Sequence, residues 1–127
     1  MPAKVVDVSA VAAMILGEPE GLLVAESLKD HRLAAPGLLE YEMASVCLKK
    51  LRAHPQRRPE ILQAHGRFLS MEIEYSPVSA PGVLELAEKT GLSAYDASYL
   101  WLSLDRGLQL VTLDKKLERS AGDLERN

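Results

Sequence analysis

The sequence contains a single cysteine among its 127 residues, so an intramolecular disulfide and a cysteine-rich zinc site are both excluded. Such sparing use of cysteine suits a reducing compartment, and we expect the protein to be cytoplasmic. Cys47 lies beside Val46 and Leu48, with Leu51 one helical turn further on. These apolar neighbours predict that the thiol packs in the core rather than acting as a nucleophile.

Long apolar runs and an excess of positive charge are also missing. No stretch approaches the roughly 18 uninterrupted apolar residues of a membrane-spanning helix. The apolar run near the amino terminus is interrupted by Asp7 and Ser9 and is a poor match to a signal peptide. We therefore expect no membrane association. The net charge of −3 argues against a generic polyanion binder, which would be basic overall.

What remains is an ordinary globular composition, 47% hydrophobic and 26% charged. The length predicts one domain spanning residues 1–127. The predicted strands cover residues 4–7, 32–35, 71–75 and 108–112, and the predicted helices cover residues 9–16, 19–29, 38–52, 60–70, 81–89, 93–105 and 114–120. Because strands alternate with helices, we expect an α/β domain with a mainly parallel sheet and residues 71–75 as an outer strand.

Three acids lie where predicted strands lead into predicted helices. Asp7 and Asp114 follow strands, and Asp96 lies in the first turn of a helix. Ligands of open parallel sheets bind beyond the carboxyl ends of the strands, where such acids can converge. Each acid also has a simpler interpretation as a helix cap, because its oxygens can accept hydrogen bonds from free backbone N–H groups. Spacing alone does not decide between a cap and a site.

Four segments carry a resemblance to a known family. They are residues 5–9 (VVDVS), 36–45 (PGLLEYEMAS), 92–100 (LSAYDASYL) and 110–117 (LVTLDKKL). In this order they resemble the four motifs of the PIN-domain family, and they look most like those of the VapC-like toxins of prokaryotic toxin–antitoxin pairs. The resemblance implies a three-layer α/β/α domain with a central, mainly parallel sheet.

The resemblance further implies a ribonuclease that hydrolyses RNA phosphodiester bonds and leaves 5′-phosphate and 3′-hydroxyl ends. The catalytic and metal-binding residues that it implies are Asp7, Glu42, Asp96 and Asp114. Carboxylates brought close together repel one another unless a cation or a proton intervenes. Oxygen ligands alone suit Mg²⁺ or Mn²⁺ rather than zinc, with water completing the coordination. Two such ions could clamp the attacking and leaving oxygens of the reaction.

Three hydroxyl residues are candidates to support the implied site, and the choice between two glutamates for it is open. Ser9 and Thr112 are candidates to support the acids, although a helix cap and a strand residue explain them equally well. Ser45 stands where the family usually has Asn, and its shorter side chain has less reach. Glu40 lies two residues before Glu42, so the two point to different sides of a helix. The family's spacing favours Glu42, while the apolar pattern of the helix does not separate the two.

Basic residues near the predicted helix ends are candidate contacts for RNA phosphates. The candidates are Lys49, Lys50, Arg52 and Lys115, and Lys116 and Arg119 are rivals that lie nearer the implied site. A solvated helix end explains the first three equally well, because cations are favoured near helix carboxyl termini.

Histidines and aromatic residues show no functional pattern of their own. The histidines, which form no metal-binding or general-base motif, are interpreted as surface residues; they are His31, His54 and His65. The aromatic residues of the third motif are interpreted as packing residues rather than base-stacking platforms. They are Tyr95, Tyr99 and Trp101.

The resemblance implies three partners, namely an RNA substrate, a cognate antitoxin protein and a second copy of the chain in a homodimer. One alternative is a PIN-fold binding or scaffold module without catalysis, against which the complete set of four acids argues. Another is a phosphoacceptor receiver domain, which requires an adjacent pair of acids after the first strand and a mid-chain Asp. Here Asp7 stands alone, and residues 71–75 offer only glutamates.

Overall fold

The computed structural model describes residues 2–126. Its strands are β1 (Ala3–Val6), β2 (Arg32–Pro36), β3 (Ile73–Ser76) and β4 (Leu110–Val111). Its α-helices are α1 (Val8–Ile15), α2 (Gly21–Leu28), α3 (Leu38–Ala53), α4 (Arg58–Leu69), α5 (Ala80–Thr90), α6 (Ala94–Arg106) and α7 (Lys115–Arg126). A short 3₁₀ turn, Pro55–Arg57, separates α3 from α4.

The four strands form one sheet in the order β3-β2-β1-β4, and each neighbouring pair is parallel. Helices flank the sheet, so the predicted α/β class with a parallel central sheet is confirmed. The predicted outer strand, β3, lies at one edge of the sheet. Because all four strands run the same way, their carboxyl ends meet at a single edge, which is where ligands of such sheets bind.

The core lies where the helices pack against the sheet. In α3 the buried stripe is formed by Leu39, Met43 and Cys47, which are spaced four residues apart and share one face. Cys47 is 4% exposed, and burial raises the pKa of its thiol, so its predicted place in the core is confirmed. Over the side chains that the structure describes, those of residues 2–124, every buried nitrogen or oxygen has a hydrogen-bond partner.

The ends of α5 and α6 are formed by residues that are typical helix caps. Gly91 and Gly107 close these helices in the left-handed conformation, with φ of 78° and 63°. At the start of α6, Ser93 Oγ accepts the N–H of Asp96 at 3.1 Å. These caps fix where α6 begins and therefore where Asp96 lies.

Several elements differ in length from the predictions. Helix α2 is shorter, covering Gly21–Leu28 rather than residues 19–29. Strand β4 has only two residues, Leu110–Val111, and the side chain of the next residue, Thr112, bonds to Asp7. Helix α7 continues beyond the predicted end at Ser120 to Arg126. Leu117, Ala121 and Leu124 keep the helical spacing and pack against the core, so burial of this stripe favours a longer helix.

Within the part of the chain that the structure describes, no helix combines the length and the hydropathy required to cross a membrane.

Candidate active site

The sheet edge at the carboxyl ends of β1 and β4 brings acids together from distant parts of the sequence. Asp7 directly follows β1, and Asp114 follows β4 after a short turn. Because β1 and β4 are parallel neighbours, both acids leave the sheet at the same edge. The other two acids reach this edge on helices, with Glu42 in the second turn of α3 and Asp96 in the first turn of α6.

Asp7 is both a helix cap and the most buried acid, with only 3% of its surface exposed. Its Oδ1 accepts the N–H of Ala10 at 3.0 Å, which caps α1, and the hydroxyl of Ser9 at 2.7 Å. Its Oδ2 accepts the hydroxyl of Thr112 at 2.5 Å. Burial raises the pKa of Asp7, and the nearby charge of Asp114 raises it further, while these hydrogen bonds oppose the shift.

The hydroxyls of Ser9 and Thr112 tie the two strand ends together. Each donates its proton to Asp7 and accepts a backbone N–H from the turn after β4: Ser9 Oγ from Leu113 at 2.9 Å and Thr112 Oγ1 from Asp114 at 3.0 Å. The two hydroxyl oxygens are 3.3 Å apart, but both protons are already directed at Asp7. Two turns that are about a hundred residues apart in the sequence are thereby joined around one carboxylate.

Asp114 likewise combines two roles. Its Oδ1 accepts the N–H of Leu117 at 3.0 Å and so caps α7. Its charge raises the pKa of both Asp7 and Asp96. The helix-cap interpretation is therefore correct for Asp7 and Asp114, and it does not compete with their place in the acid cluster.

Glu42 is half-buried, and its Oε1 accepts the hydroxyl of Tyr99 at 2.5 Å. Burial raises the pKa of Glu42, and the charges of Asp96 and Asp7 raise it further. Glu40 is exposed instead, and its charge helps to raise the pKa of Tyr75 in β3. The structure thus brings Glu42, and not Glu40, to the other acids.

Asp96 is half-buried at the start of α6. Burial raises its pKa, and the charges of Asp114 and Asp7 raise it further, while Lys116 and a hydrogen bond with Ser93 lower it. Lys116 is held nearby because its Nζ donates to the carbonyl oxygen of Gly91 at 2.9 Å. Lys116 is therefore a cation next to the acids.

The four acids form one electrostatic cluster, because each either raises or undergoes a pKa shift through another member. Among the side chains of residues 2–124, no three Asp, Glu, His or Cys residues are arranged to hold one metal ion directly. The donor set is nevertheless all oxygen and mutually repulsive, which suits a hard divalent cation. Mg²⁺ keeps several waters and takes only one or two carboxylates directly, so such an ion would reach some of the acids through water.

The remaining predicted site residues lie further out. Ser45 is exposed on α3, and the hydrogen bond to Glu42 comes from Tyr99. The three basic residues of α3 are exposed in its second half, roughly 10 Å or more along the helix from Glu42 at 1.5 Å per residue. They are Lys49, Lys50 and Arg52. Lys115 is exposed in the first turn of α7, one residue from Lys116.

A cavity of about 210 Å³ lies away from the acids, between the end of α1, the end of α3 and α4. Lys50 and His54 contribute to its wall, together with Arg57 and Arg67. Arg57 is paired with Glu60 at 3.1 Å, and Arg67 donates to the carbonyl oxygen of Ile15. The bond from Arg67 connects the ends of α1 and α4, and the cavity is separate from the acid cluster.

Tyr99 is the contact that the sequence interpretation missed, because it was expected only to pack. It does pack, with no exposed surface, but its hydroxyl also reaches Glu42. The available signal was its position three residues after Asp96, which places both on one face of α6. Tyr95 does not belong to the core, since 67% of its surface is exposed.

Comparison with known proteins gives the same family as the four sequence motifs. The family model described as PIN domain matches residues 4–123. The structure of PAE2754 from Pyrobaculum aerophilum is similar, with 26% identity, a TM-score of 0.67, and coverage of 94% of this chain and 87% of that one. VapC20 from Mycobacterium tuberculosis, titled a sarcin-ricin loop cleaving toxin, has 15% identity, a TM-score of 0.65, and coverage of 93% and 95%. No curated protein matches the sequence.

Proposed function

Since the chain belongs to the PIN-domain family, we propose that it is a metal-dependent endoribonuclease that hydrolyses RNA phosphodiester bonds. The active site of this proposal consists of Asp7, Glu42, Asp96 and Asp114. One observation carries the proposal: four acids from four separate segments converge at the carboxyl edge of the sheet, where burial and the charges of neighbouring acids raise the pKa of Asp7, Glu42 and Asp96. Helix capping alone requires no such convergence.

The proposed cofactor is Mg²⁺ or Mn²⁺, held by some of the four carboxylates directly and by the others through water. Bound there, such an ion supplies an activated water and stabilises the leaving 3′ oxygen in a displacement at phosphorus. The residues of the chain have complementary tasks. Ser9 and Thr112 orient Asp7 through its two oxygens, and Lys116 offers a positive charge to the substrate phosphate beside Asp96.

The biological role that we propose is that of a VapC-like toxin in a toxin–antitoxin pair. The ordered set of four motifs supports it, and so does the shared fold with a toxin that is titled as cleaving the sarcin-ricin loop. At 15% identity that likeness carries the fold alone, so the RNA target is not transferred to this chain. We further propose a single domain over residues 1–127, a cytoplasmic location, a homodimer and an antitoxin partner.

The family match affects the two alternative functions differently. Membership of the PIN-domain family sets aside the receiver domain, which is another family of α/β domains. A PIN module without catalysis keeps the same fold, so only an assay separates it from a nuclease. The complete acid cluster favours the nuclease.

The test is cleavage of single-stranded RNA in the presence of Mg²⁺ or Mn²⁺ by the wild type and three variants. We expect Asp7→Asn, Asp96→Asn and Glu42→Gln each to lose more than about 100-fold in rate, beyond the usual loss for a group that only supports a ligand. Glu40→Gln is the matched control, because it neutralises an exposed glutamate two residues from Glu42 on the same helix.

The outcome separates the alternatives as follows. Cleavage at equal rates by the wild type and all variants would place the reaction elsewhere or in a contaminant. A folded wild type that neither binds Mn²⁺ nor cleaves RNA would favour the scaffold module. Loss in Glu40→Gln with full activity in Glu42→Gln would exchange the roles of the two glutamates.

A further inference from the structure

Tyr99 presents a polar group where packing alone does not require one. The side chain is fully buried, and its neighbours along α6 include Ala97, Leu100 and Leu102, which are buried and apolar. Burying a hydroxyl is unfavourable unless it finds a hydrogen-bond partner. The hydroxyl of Tyr99 has one, because it donates to Oε1 of Glu42 at 2.5 Å. A phenylalanine would fill the same space without this requirement.

The bond joins two helices that each deliver an acid. Tyr99 lies three residues after Asp96, so both side chains lie on one face of α6, one turn apart. Glu42 belongs to α3, and its carboxylate is repelled by the charges of Asp96 and Asp7. Left alone, a glutamate with three side-chain torsions would relieve this repulsion by turning toward solvent. The hydroxyl of Tyr99 opposes that movement, since it binds one carboxylate oxygen inside the core.

The same bond limits what Glu42 can offer a ligand. A phenol keeps its proton at neutral pH, so the O–H donates and the carboxylate accepts. With Oε1 engaged by Tyr99, Oε2 is the freer oxygen for water or a cation. Asp7 is constrained in a similar way, because Oδ1 accepts two hydrogen bonds and Oδ2 accepts one.

We infer that Tyr99 is a positioning residue: its buried hydroxyl holds Glu42 against the other acids and leaves one carboxylate oxygen free for a divalent cation. The inference rests on the proposed function, because it assumes that the acid cluster binds Mg²⁺ or Mn²⁺. A merely structural role for Tyr99 predicts something different, namely a loss of stability without any specific loss of cation binding.

The experiment compares Tyr99→Phe with Tyr95→Phe. Both remove one hydroxyl from α6 and keep the ring, but Tyr95 is exposed and four residues away. Mn²⁺ binding is measured by calorimetry on the full chain without RNA, and RNA cleavage is measured over a range of Mn²⁺ concentrations. We expect Tyr99→Phe to bind Mn²⁺ about 10-fold more weakly, in the range usual for groups that orient a metal ligand. Tyr95→Phe should bind it as the wild type does.

Glu42→Gln shows whether Tyr99 acts through Glu42. If it does, adding Tyr99→Phe to Glu42→Gln should cause little further loss of Mn²⁺ affinity, so the two effects should not be additive. Full additivity would overturn the inference. An unchanged Mn²⁺ affinity in Tyr99→Phe would also overturn it, and the proposed function would stand if the wild type binds Mn²⁺ and cleaves RNA.

Two further outcomes are equally decisive. If Tyr99→Phe does not fold, the hydroxyl is a structural member of the core and the inference is overturned. If the wild type neither binds Mn²⁺ nor cleaves RNA, the proposed function fails and the inference fails with it. Weaker Mn²⁺ binding by a folded Tyr99→Phe, with no change in Tyr95→Phe, supports both.

Discussion

The two halves of the acid cluster are built differently. The strand half consists of Asp7 and Asp114, whose carboxylates accept hydrogen bonds from two hydroxyls and two backbone N–H groups. The two hydroxyls in turn accept two further backbone N–H groups from the turn after β4. The helix half consists of Glu42 and Asp96, which are half-exposed and have fewer partners, notably Tyr99 and Ser93. The strand half is therefore held by more hydrogen bonds than the helix half. Burial and like charge raise the pKa of Asp7 as well as those of Glu42 and Asp96, so the ionised carboxylates cost stability in both halves.

The two halves therefore differ in how firmly their carboxylates are held before a ligand binds. Hydrogen bonds from Ser9 and Thr112 largely fix the geometry of Asp7 before any ligand arrives. Glu42 and Asp96 are held close to other negative charges, so they gain most when a cation enters. A nuclease can thus keep one rigid side and one adjustable side within a single edge of a sheet.

The largest expected effect is the response to a cation. Mg²⁺ at about 100 times its Kd should raise the free energy of unfolding of the wild type by about 2.7 kcal/mol. The increase should be much smaller for Asp96→Asn, which removes a charge from the helix half. Urea unfolding with EDTA or with Mg²⁺ measures the difference. An equal increase in both proteins would mean that the helix half does not bind the ion.

The next largest effect is a loss of stability that we expect when a hydroxyl is removed from the strand half. Thr112→Val should lower the free energy of unfolding by about 1–3 kcal/mol, because the N–H of Asp114 and Oδ2 of Asp7 both lose a buried partner. Thr112→Ser keeps the hydroxyl and is the matched control, with most of the stability retained. Thermal or urea unfolding measures both. A Thr112→Val protein as stable as the wild type would contradict the view that these bonds stabilise the fold.

A smaller effect of the opposite sign is expected in the helix half. In the absence of a cation at neutral pH, Asp96→Asn should raise the free energy of unfolding by about 1 kcal/mol, since it relieves repulsion at a functional site. The value is modest because solvent screens a half-exposed carboxylate. Chemical unfolding with EDTA measures it, and a less stable variant would show that Asp96 stabilises the fold.

The pH dependence of the stability gained by Asp96→Asn follows from the direction in which the pKa of Asp96 is shifted. The pKa of Asp96 is raised in the folded protein above its ordinary value of 3.8, so the folded state binds the proton more tightly than the unfolded chain does. Its contribution favours folding at low pH and is lost as pH rises through the folded-state pKa. The stability advantage of Asp96→Asn should therefore be small below about pH 4 and grow toward neutral pH.

The smallest effect concerns the basic residues. Lys116→Met should weaken RNA binding and lower the slope of log affinity against log salt by about 1, as expected for one phosphate contact. Lys49→Met is the matched control, because Lys49 lies in the second half of α3, away from the acids. Binding of RNA by a cleavage-deficient variant, measured at several salt concentrations, compares the two. An equal change in Lys49→Met would extend the RNA contact along α3.

Much of the fold could be predicted from the sequence, because helix ends and strand patterns depend on residues that are close in the chain. Alternating strand and helix patterns predicted the parallel sheet, and Gly91 and Gly107 predicted where α5 and α6 close. The length of α7 was underestimated because its stripe of core residues continues beyond a Ser–Ala–Gly stretch that resembles a helix end. Strand β4 was overestimated at both ends, since the observed strand covers Leu110–Val111 and stops before Thr112, whose side chain bonds to Asp7.

The sequence by itself determined which residues can form the site: three of the acids lie after strands or in a first helical turn, where caps and helix dipoles favour them, and four ordered motifs select these three and Glu42. Only the tertiary structure decided how they are held. It brought the hydroxyl of Tyr99 to Glu42 across 57 positions and that of Thr112 to Asp7 across 105. It also turned Glu42 rather than Glu40 toward the cluster. The physical reason is that caps and periodicity are set by neighbours in the chain, whereas hydrogen bonds between distant segments depend on how strands pair and helices pack.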